Sequence, residues 1–303
     1  MDQKPIKVAY VLTSDCQDQY ADLNLISLWS LRQTNPTVKV ILVCDSQTLE
    51  AITITEHQIG KEVDEIVSIS VPVKTPSFRN RYIKTNLRNY LDGAFLYLDA
   101  DTIIRGDLSP IFATKSSLTA VPNYSGTGSP LEIPLSELKI YQELNWSLPS
   151  QYYANGGVLF FADHSKTYEF CNLWHQKWLE SSSKIGKAID QPSLNSAIDQ
   201  SKVNFTWLDH RFNVQIHARP DLAWDAIVWH IYFSQSRASS KTILGLALEQ
   251  MKQNCITSSK DLTAIYSRQH PWLINNYLDW IAVYTIKRNR FLRKIYKNIL
   301  NRK

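Results

Sequence analysis

The sequence predicts an α/β protein built on a doubly wound, mainly parallel sheet, and three observations carry that prediction. Ala94-Phe95-Leu96-Tyr97-Leu98 is a continuous apolar run, which suits a central strand covered by helices on both faces. The run ends in Asp99-Ala100-Asp101, and open α/β sheets hold their ligands at the carboxyl ends of the strands. Upstream, strand-like and helix-like stretches alternate as βαβαβ, the pattern of parallel pairing.

The first strand is read over residues 6–13, rich in β-branched and aromatic side chains and closed by the polar turn Ser14-Asp15-Cys16-Gln17-Asp18. Leu25, Leu28, Trp29 and Arg32 follow helical spacing until Asn35-Pro36 stops them. Residues 38–43 and 65–71 are the next strands, with an amphipathic segment between them. A helix is expected over 79–91, and its Arg79, Arg81, Lys84 and Arg88 lie toward the ligand end of the sheet. Arg79 and Arg88 read as solvated helix charges. Residues 122–149 carry many Gly, Pro, Ser and Asn residues and read as a lid or binding loop. Asn155-Gly156-Gly157 precedes a buried strand at 158–162, and paired glycines there suit a close approach by a ligand or a neighbouring strand. Helices follow at 167–179 and 191–198, the second opened by Asp190 as N-cap with Pro192 in its first turn. Residues 203–208 read as a strand, and Trp229-His230 lies in the apolar run 226–233.

From about residue 240 the pattern is helical, so the chain divides into a catalytic domain at 1–245 and a helical extension at 246–303. After Asp279 no acid follows, while Lys287, Arg288, Arg290, Arg293, Lys294, Lys297, Arg302 and Lys303 accumulate. Phe291, Leu292, Ile295, Tyr296 and Ile299 share one side of that helix. With Trp272, Tyr277 and Trp280 ahead of it, the tail suits peripheral contact with an anionic membrane. The competing reading is a terminal helix packed on the domain.

The 303 residues are 44% hydrophobic and 20% charged, with net charge +5, which excludes wholesale disorder. Cys16, Cys44, Cys171 and Cys255 are scattered with no CxxC pair, which argues against a zinc site or disulfide framework and for a reducing, cytoplasmic compartment. No signal-peptide pattern or membrane-spanning run is read, and no nucleic-acid partner is expected. Walker, GxGxxG and Ser/His/Asp patterns are absent.

Asp99 and Asp101 would point the same way from an extended strand. Carboxylates that close repel unless a cation or a shared proton lies between them. The direct reading is a site for Mg²⁺ or Mn²⁺ that holds a phosphate-bearing substrate.

Leu98-Asp99-Ala100-Asp101-Thr102 after an apolar strand resembles the DxD motif of GT-A-fold glycosyltransferases, in particular glycosyltransferase family 8. Thr13-Ser14-Asp15 with Tyr20 is similar to the family's nucleotide-binding turn and uracil-stacking tyrosine, although the turn here is longer. Arg81 or Lys84 corresponds to its basic residue upstream of the acids, Asn155-Gly156-Gly157 to its Asn-x-Gly, and Asp190-Gln191 to its Asp-Gln pair. Arg211-Phe212-Asn213 follows at a comparable interval, and His230 stands where the family has its third metal ligand. The resemblance covers about residues 6–235. One departure is the segment after His230, which lacks the family's glycine and diphosphate-gripping lysine; Arg237 or Lys241 would substitute.

The resemblance implies a retaining transfer of a hexosyl group from a nucleotide diphosphate sugar, with a UDP-sugar expected, to a glycan, glycolipid or glycoprotein. Asp99, Asp101 and His230 would hold Mn²⁺ (or Mg²⁺), Asp190 would orient sugar hydroxyls, Gln191 would lie under the anomeric carbon, and Asn155 would contact sugar or acceptor. Two rivals stand beside this reading. Asp99-Ala100-Asp101-Thr102 also fits the DxDxT signature of haloacid-dehalogenase phosphatases, and a non-catalytic sugar-binding relative would carry the same letters.

Overall fold

The computed structural model of the chain describes residues 6–124, 131, 133–150, 152–216, 219, 222–231, 243–253, 258 and 260–262. Four parallel strands form its first half: β1 (Lys7–Leu12), β2 (Lys39–Asp45), β3 (Glu65–Ile69) and β4 (Phe95–Leu98). They are joined by α1 (Tyr20–Thr34), by α2 (Ser46–Ile54) with the short α3 (Ile59–Glu62), and by α4 (Pro76–Thr85). A small strand β5 (Thr102–Ile104), α5 (Ser109–Phe112), β6 (Leu118–Pro122), α6 (Leu135–Glu143) and β7 (Ala154–Phe161) follow. The remaining elements are α7 (Ser165–Ile185), α8 (Gln191–Ser201), β8 (Phe205–Trp207), β9 (Val214–Gln215), β10 (Val228–His230) and α9 (Ile243–Lys252).

The main sheet has seven strands in the order β3-β2-β1-β4-β7-β6-β8, and a second has the order β5-β10-β9. Side chains alternate across the main sheet with period two. Val8, Tyr10 and Leu12 of β1 face a layer containing α1, α9 and the small sheet, whereas Ala9 and Val11 face α4, α7 and α8. Trp29 of α1 and Trp174 of α7 are buried on opposite sides, each contributing roughly 2–3 kcal/mol by apolar burial. The expected division at 245/246 falls inside α9, whose Leu244, Ala247 and Leu248 join the same core as β1.

Within the main sheet β7 alone runs against its neighbours, pairing antiparallel with both β4 and β6. The reversal brings the start of β7 to the carboxyl end of β4. Leu98 pairs with Val158, and the Asp99 N–H donates to the Gly157 carbonyl at 2.8 Å.

Several expectations need correction. The helix expected over 79–91 ends at Thr85, and a 3₁₀ turn at Leu87–Asn89 follows. Arg79 and Arg88 are not solvated: Arg79 pairs with the buried Asp45 carboxylate, and Arg88 bonds the Gly93 carbonyl, Asp163 and the Tyr168 hydroxyl. Arg79 is held by an acid inside the fold, and Arg88 by a backbone carbonyl, a tyrosine hydroxyl and the more exposed Asp163. The 122–149 stretch contains α6, and Asn155-Gly156-Gly157 lies within β7 instead of before it. Asp99 and Asp101 do not share one strand, because the chain turns between β4 and β5. Arg237, Lys241, Cys255 and the basic tail lie outside the described residues.

Candidate active site

The turn from β4 into β5 creates the site. β10 pairs antiparallel with β5, setting His230 opposite Thr102, and the Ile231 N–H donates to the Asp101 carbonyl at 3.0 Å. Two sheets therefore meet at the acids. The imidazole Nε2 lies 3.2 Å from Asp101 Oδ1 and 3.8 Å from Asp99 Oδ2. One ligand atom from each of Asp99, Asp101 and His230 falls within 4.8 Å of the others. Burial works against a charge on His230, but Asp101 and then Asp99 outweigh it and raise its pKa above the ordinary value.

Gly157 makes this convergence possible. A Cβ built there would stand 2.4 Å from His230 Cε1, so any side chain would displace the imidazole. The close approach suggested by the paired glycines is made here by a histidine.

Asp99 continues the parity of Phe95 and Tyr97, which sends it toward the α4 side of the sheet. There Lys84, almost fully buried on α4, reaches Asp99 Oδ1 at 3.1 Å and Asp190 Oδ2 at 3.0 Å. Burial opposes the ammonium charge, but Asp190 and Asp99 more than offset it and hold the Lys84 pKa above the ordinary value. Burial likewise opposes ionisation of Asp190, and Lys84 followed by Arg81 keeps its pKa below the ordinary carboxylate value. Arg81 Nε stands 3.6 Å from Asp190 Oδ1 with about a third of its side chain exposed, a looser contact. Tyr97 donates its hydroxyl to Asp99 Oδ1 at 2.5 Å. Sequence reasoning missed Tyr97, although its place two residues before Asp99 puts both on one face.

Asp190 stands at the N-cap position of α8, but its side chain makes no capping bond. The carboxylate is committed to Lys84 instead, and Trp174 donates its indole N–H to the Asp190 carbonyl at 3.3 Å. Gln191 opens the helix immediately behind it.

These groups line a cavity of about 560 Å³, a volume ordinary for a small-ligand site. Asp99, Asp101, His230, Lys84, Arg81, Asp190, Gln191 and Asn155 contribute to one part of its wall, and Thr13, Tyr20 and Asn80 to another. Asp15 is not brought in: it is exposed, and its carboxylate accepts the N–H groups of Gln17 and Asp18 in its own loop. Arg211 is also elsewhere, paired with Asp209.

Two carboxylates and one imidazole form a hard-to-borderline donor set suited to a divalent cation of the Mg²⁺ or Mn²⁺ class. Asp99 and Asp101 supply negative charge, and the Gly157 gap seats the imidazole against both. The residues present fit a metal.

A mainly parallel sheet with one reversed strand, and an acid-acid-histidine cluster beside a cavity at its carboxyl end, define a GT-A-type glycosyltransferase. Solved structures share this fold. The galactosyltransferase LgtC, in complex with donor and acceptor sugar analogues, matches at 15% identity and TM-score 0.54, over 92% of this chain and 100% of that one. Apo GlyE of Streptococcus pneumoniae matches at 16% identity and TM-score 0.52, over 90% of this chain and 66% of GlyE. The apo WbbM bifunctional glycosyltransferase matches at 12% identity and TM-score 0.53, over 88% of this chain and 52% of WbbM. No curated protein matches the sequence. The model of glycosyl transferase family 8 matches residues 11–243, and the chain belongs to that family. Enzymes of this family bind a nucleotide-sugar donor and a glycan acceptor. Membership displaces the phosphatase reading of Asp99-Ala100-Asp101-Thr102.

Proposed function

We propose that the chain is a metal-dependent, retaining hexosyltransferase that takes its sugar from a nucleotide diphosphate donor, a UDP-sugar first. The observation that carries the reading is the convergence of Asp99, Asp101 and His230 on one cavity with the Lys84–Asp190 pair. Asp99, Asp101 and His230 would hold Mn²⁺ or Mg²⁺, which when bound supplies positive charge to a departing diphosphate. Lys84 holds a proton between Asp99 and Asp190 and adds a fixed cation beside the same acids, in a wall shielded from water. Arg81, at the more exposed side, is placed to meet phosphate oxygens. Tyr20, 39% exposed at the cavity wall, offers a ring for base stacking, and Thr13 is fixed nearby by donating to the Pro76 carbonyl. Asp190 and Gln191 orient the sugar.

Asp190 is an ionised carboxylate already paired to Lys84 and Arg81, which lowers its strength as a nucleophile. That pairing favours attack of the acceptor on the face the diphosphate leaves, with retention and without a covalent sugar-enzyme bond. Glycan, glycolipid and glycoprotein acceptors fit this chemistry equally. The basic C-terminal tail adds a proposed peripheral contact with an anionic membrane, tested by sedimentation with anionic and neutral vesicles. No helix among the described residues is long and apolar enough to cross a membrane.

The test is nucleotide diphosphate release from a panel of UDP- and GDP-sugars, with Mn²⁺ or EDTA and with candidate acceptors. Release from one donor that EDTA abolishes is expected, and Asp99→Ala is expected to remove it. Full metal-dependent release by Asp99→Ala would refute the metal assignment. Failure of every donor both to turn over and to bind by calorimetry would leave the non-catalytic relative.

A further inference from the structure

Four buried side chains connect the candidate metal site to the start of α8 through hydrogen bonds whose direction can be deduced. Asn123, Asn155, Asn213 and His230 are each at most 4% exposed. The chain starts at an unambiguous donor, the backbone N–H of Gly157, which bonds Asn155 Oδ1 at 2.9 Å. That contact identifies the oxygen end of the Asn155 amide, since the opposite orientation would set an NH₂ against an N–H. The same oxygen accepts Asn213 Nδ2 at 2.8 Å, which leaves Asn213 Oδ1 facing His230 Nδ1 at 3.0 Å. An amide oxygen only accepts, so Nδ1 carries a ring proton. In the other direction, Asn155 Nδ2 donates to Asn123 Oδ1 at 3.0 Å and to Gln191 Oε1 at 3.3 Å.

We propose that Asn155 and Asn213 are positioning residues, a one-directional amide relay that fixes His230 as its Nδ1–H tautomer and turns the amide nitrogen of Gln191 toward the cavity. This deepens the transferase reading and rests on it for the role of Gln191. On the His230 side, Nε2 faces the Asp101 and Asp99 carboxylates and donates to Asp101 while no cation is bound; a metal that takes the place of that proton meets Nε2 on the side of both acids. On the Gln191 side, the carbonyl accepts from Asn155 at 3.3 Å, which leaves both amide N–H groups to donate to the sugar donor. The group those N–H donors take is an acceptor oxygen of the sugar or of its leaving group.

The first measurement is long-range ¹⁵N–¹H NMR of His230 in the full chain loaded with Mg²⁺, a diamagnetic ion that takes the place of the proton on the Asp101 side. A protonated Nδ1 is expected; a protonated Nε2 would overturn the relay without reference to activity. Asn213→Leu removes the acceptor and is expected to mix the tautomers and to weaken Mn²⁺ binding, read by calorimetry, about tenfold. Asn213→Asp keeps an acceptor and is expected to restore both, whereas a merely space-filling role predicts the same result for both variants. If Asn213→Leu fails to fold, the wild-type spectrum and Asn213→Asp still decide. Asn155→Asp keeps the oxygen that serves Gly157 and Asn213 but loses the donor to Gln191. Its expected signature is the wild-type tautomer with turnover reduced about 100-fold; unchanged turnover would overturn the Gln191 orientation. Failure of the wild type both to turn over and to bind any donor would refute the transferase reading while the tautomer and Mn²⁺ measurements still judge the relay.

Discussion

The four cations of residues 79–88 arise from one stretch of sequence, yet their partners divide them into two kinds. Arg79 and Arg88 are locked into the fold: Arg79 against Asp45, which also caps α2 by accepting the Thr48 N–H, and Arg88 against Gly93, Asp163 and Tyr168. Lys84 and Arg81 face the cavity, and their acid partners belong to the candidate site. The first kind satisfies acceptors at the ends of elements. The second leaves carboxylates poised beside a substrate. A buried cation is therefore informative about function only through the partner that holds it.

Three perturbations break or sharpen this contrast. Lys84→Met has the largest expected effect on chemistry, because it removes a fixed charge from the cavity wall. Turnover should fall about 100-fold, measured as nucleotide diphosphate release at saturating donor and divalent ion. Arg79→Leu should do the reverse. It strands a nearly inaccessible Asp45 carboxylate and is expected to lower unfolding free energy by about 3 kcal/mol in denaturant titrations. Turnover per folded molecule should stay within about threefold, and a larger loss at full folding would erase the division between the two kinds.

Glu137 supplies the third perturbation, because it is a half-buried acid held by the Tyr153 hydroxyl. Burial pushes its pKa up to about 7 against the Tyr153 hydrogen bond, and the Asp190 charge adds to the rise. An acid raised in the folded state contributes stability fully below its unfolded value near 4.5, and this contribution is lost as pH rises through about 7. Glu137→Gln should therefore flatten the loss of stability between about pH 5 and about pH 8, by roughly 2 kcal/mol in denaturant unfolding. A wild-type stability that does not fall over that range would contradict the assignment.

Much of this was legible in the letters. The apolar run into Asp99 and Asp101, the βαβαβ alternation and the motif order identified the fold class and brought Lys84, Arg81, Asp190, Gln191, Asn155 and His230 under suspicion. Helical periodicity could not say where α4 ends or which way each base of 79–88 faces relative to partners far along the chain. Asp45, Asp163 and Asp190 are each more than thirty residues from the cation they hold. Asp15 was misplaced for a local reason, since a short acidic side chain in a turn bonds the next backbone N–H groups before it reaches a ligand.

The sequence by itself determined what depends on short range: which runs are buried strands, and which residue types can hold a cation and a phosphate. Only the tertiary structure decided how those groups meet. One reversed strand delivers Asn155 and Gly157 to the end of β4, and a second sheet delivers His230 through a gap that only a glycine leaves. Strand direction and sheet order are set by packing over the whole chain, because the same apolar strand can pair in either sense until its neighbours and connections choose.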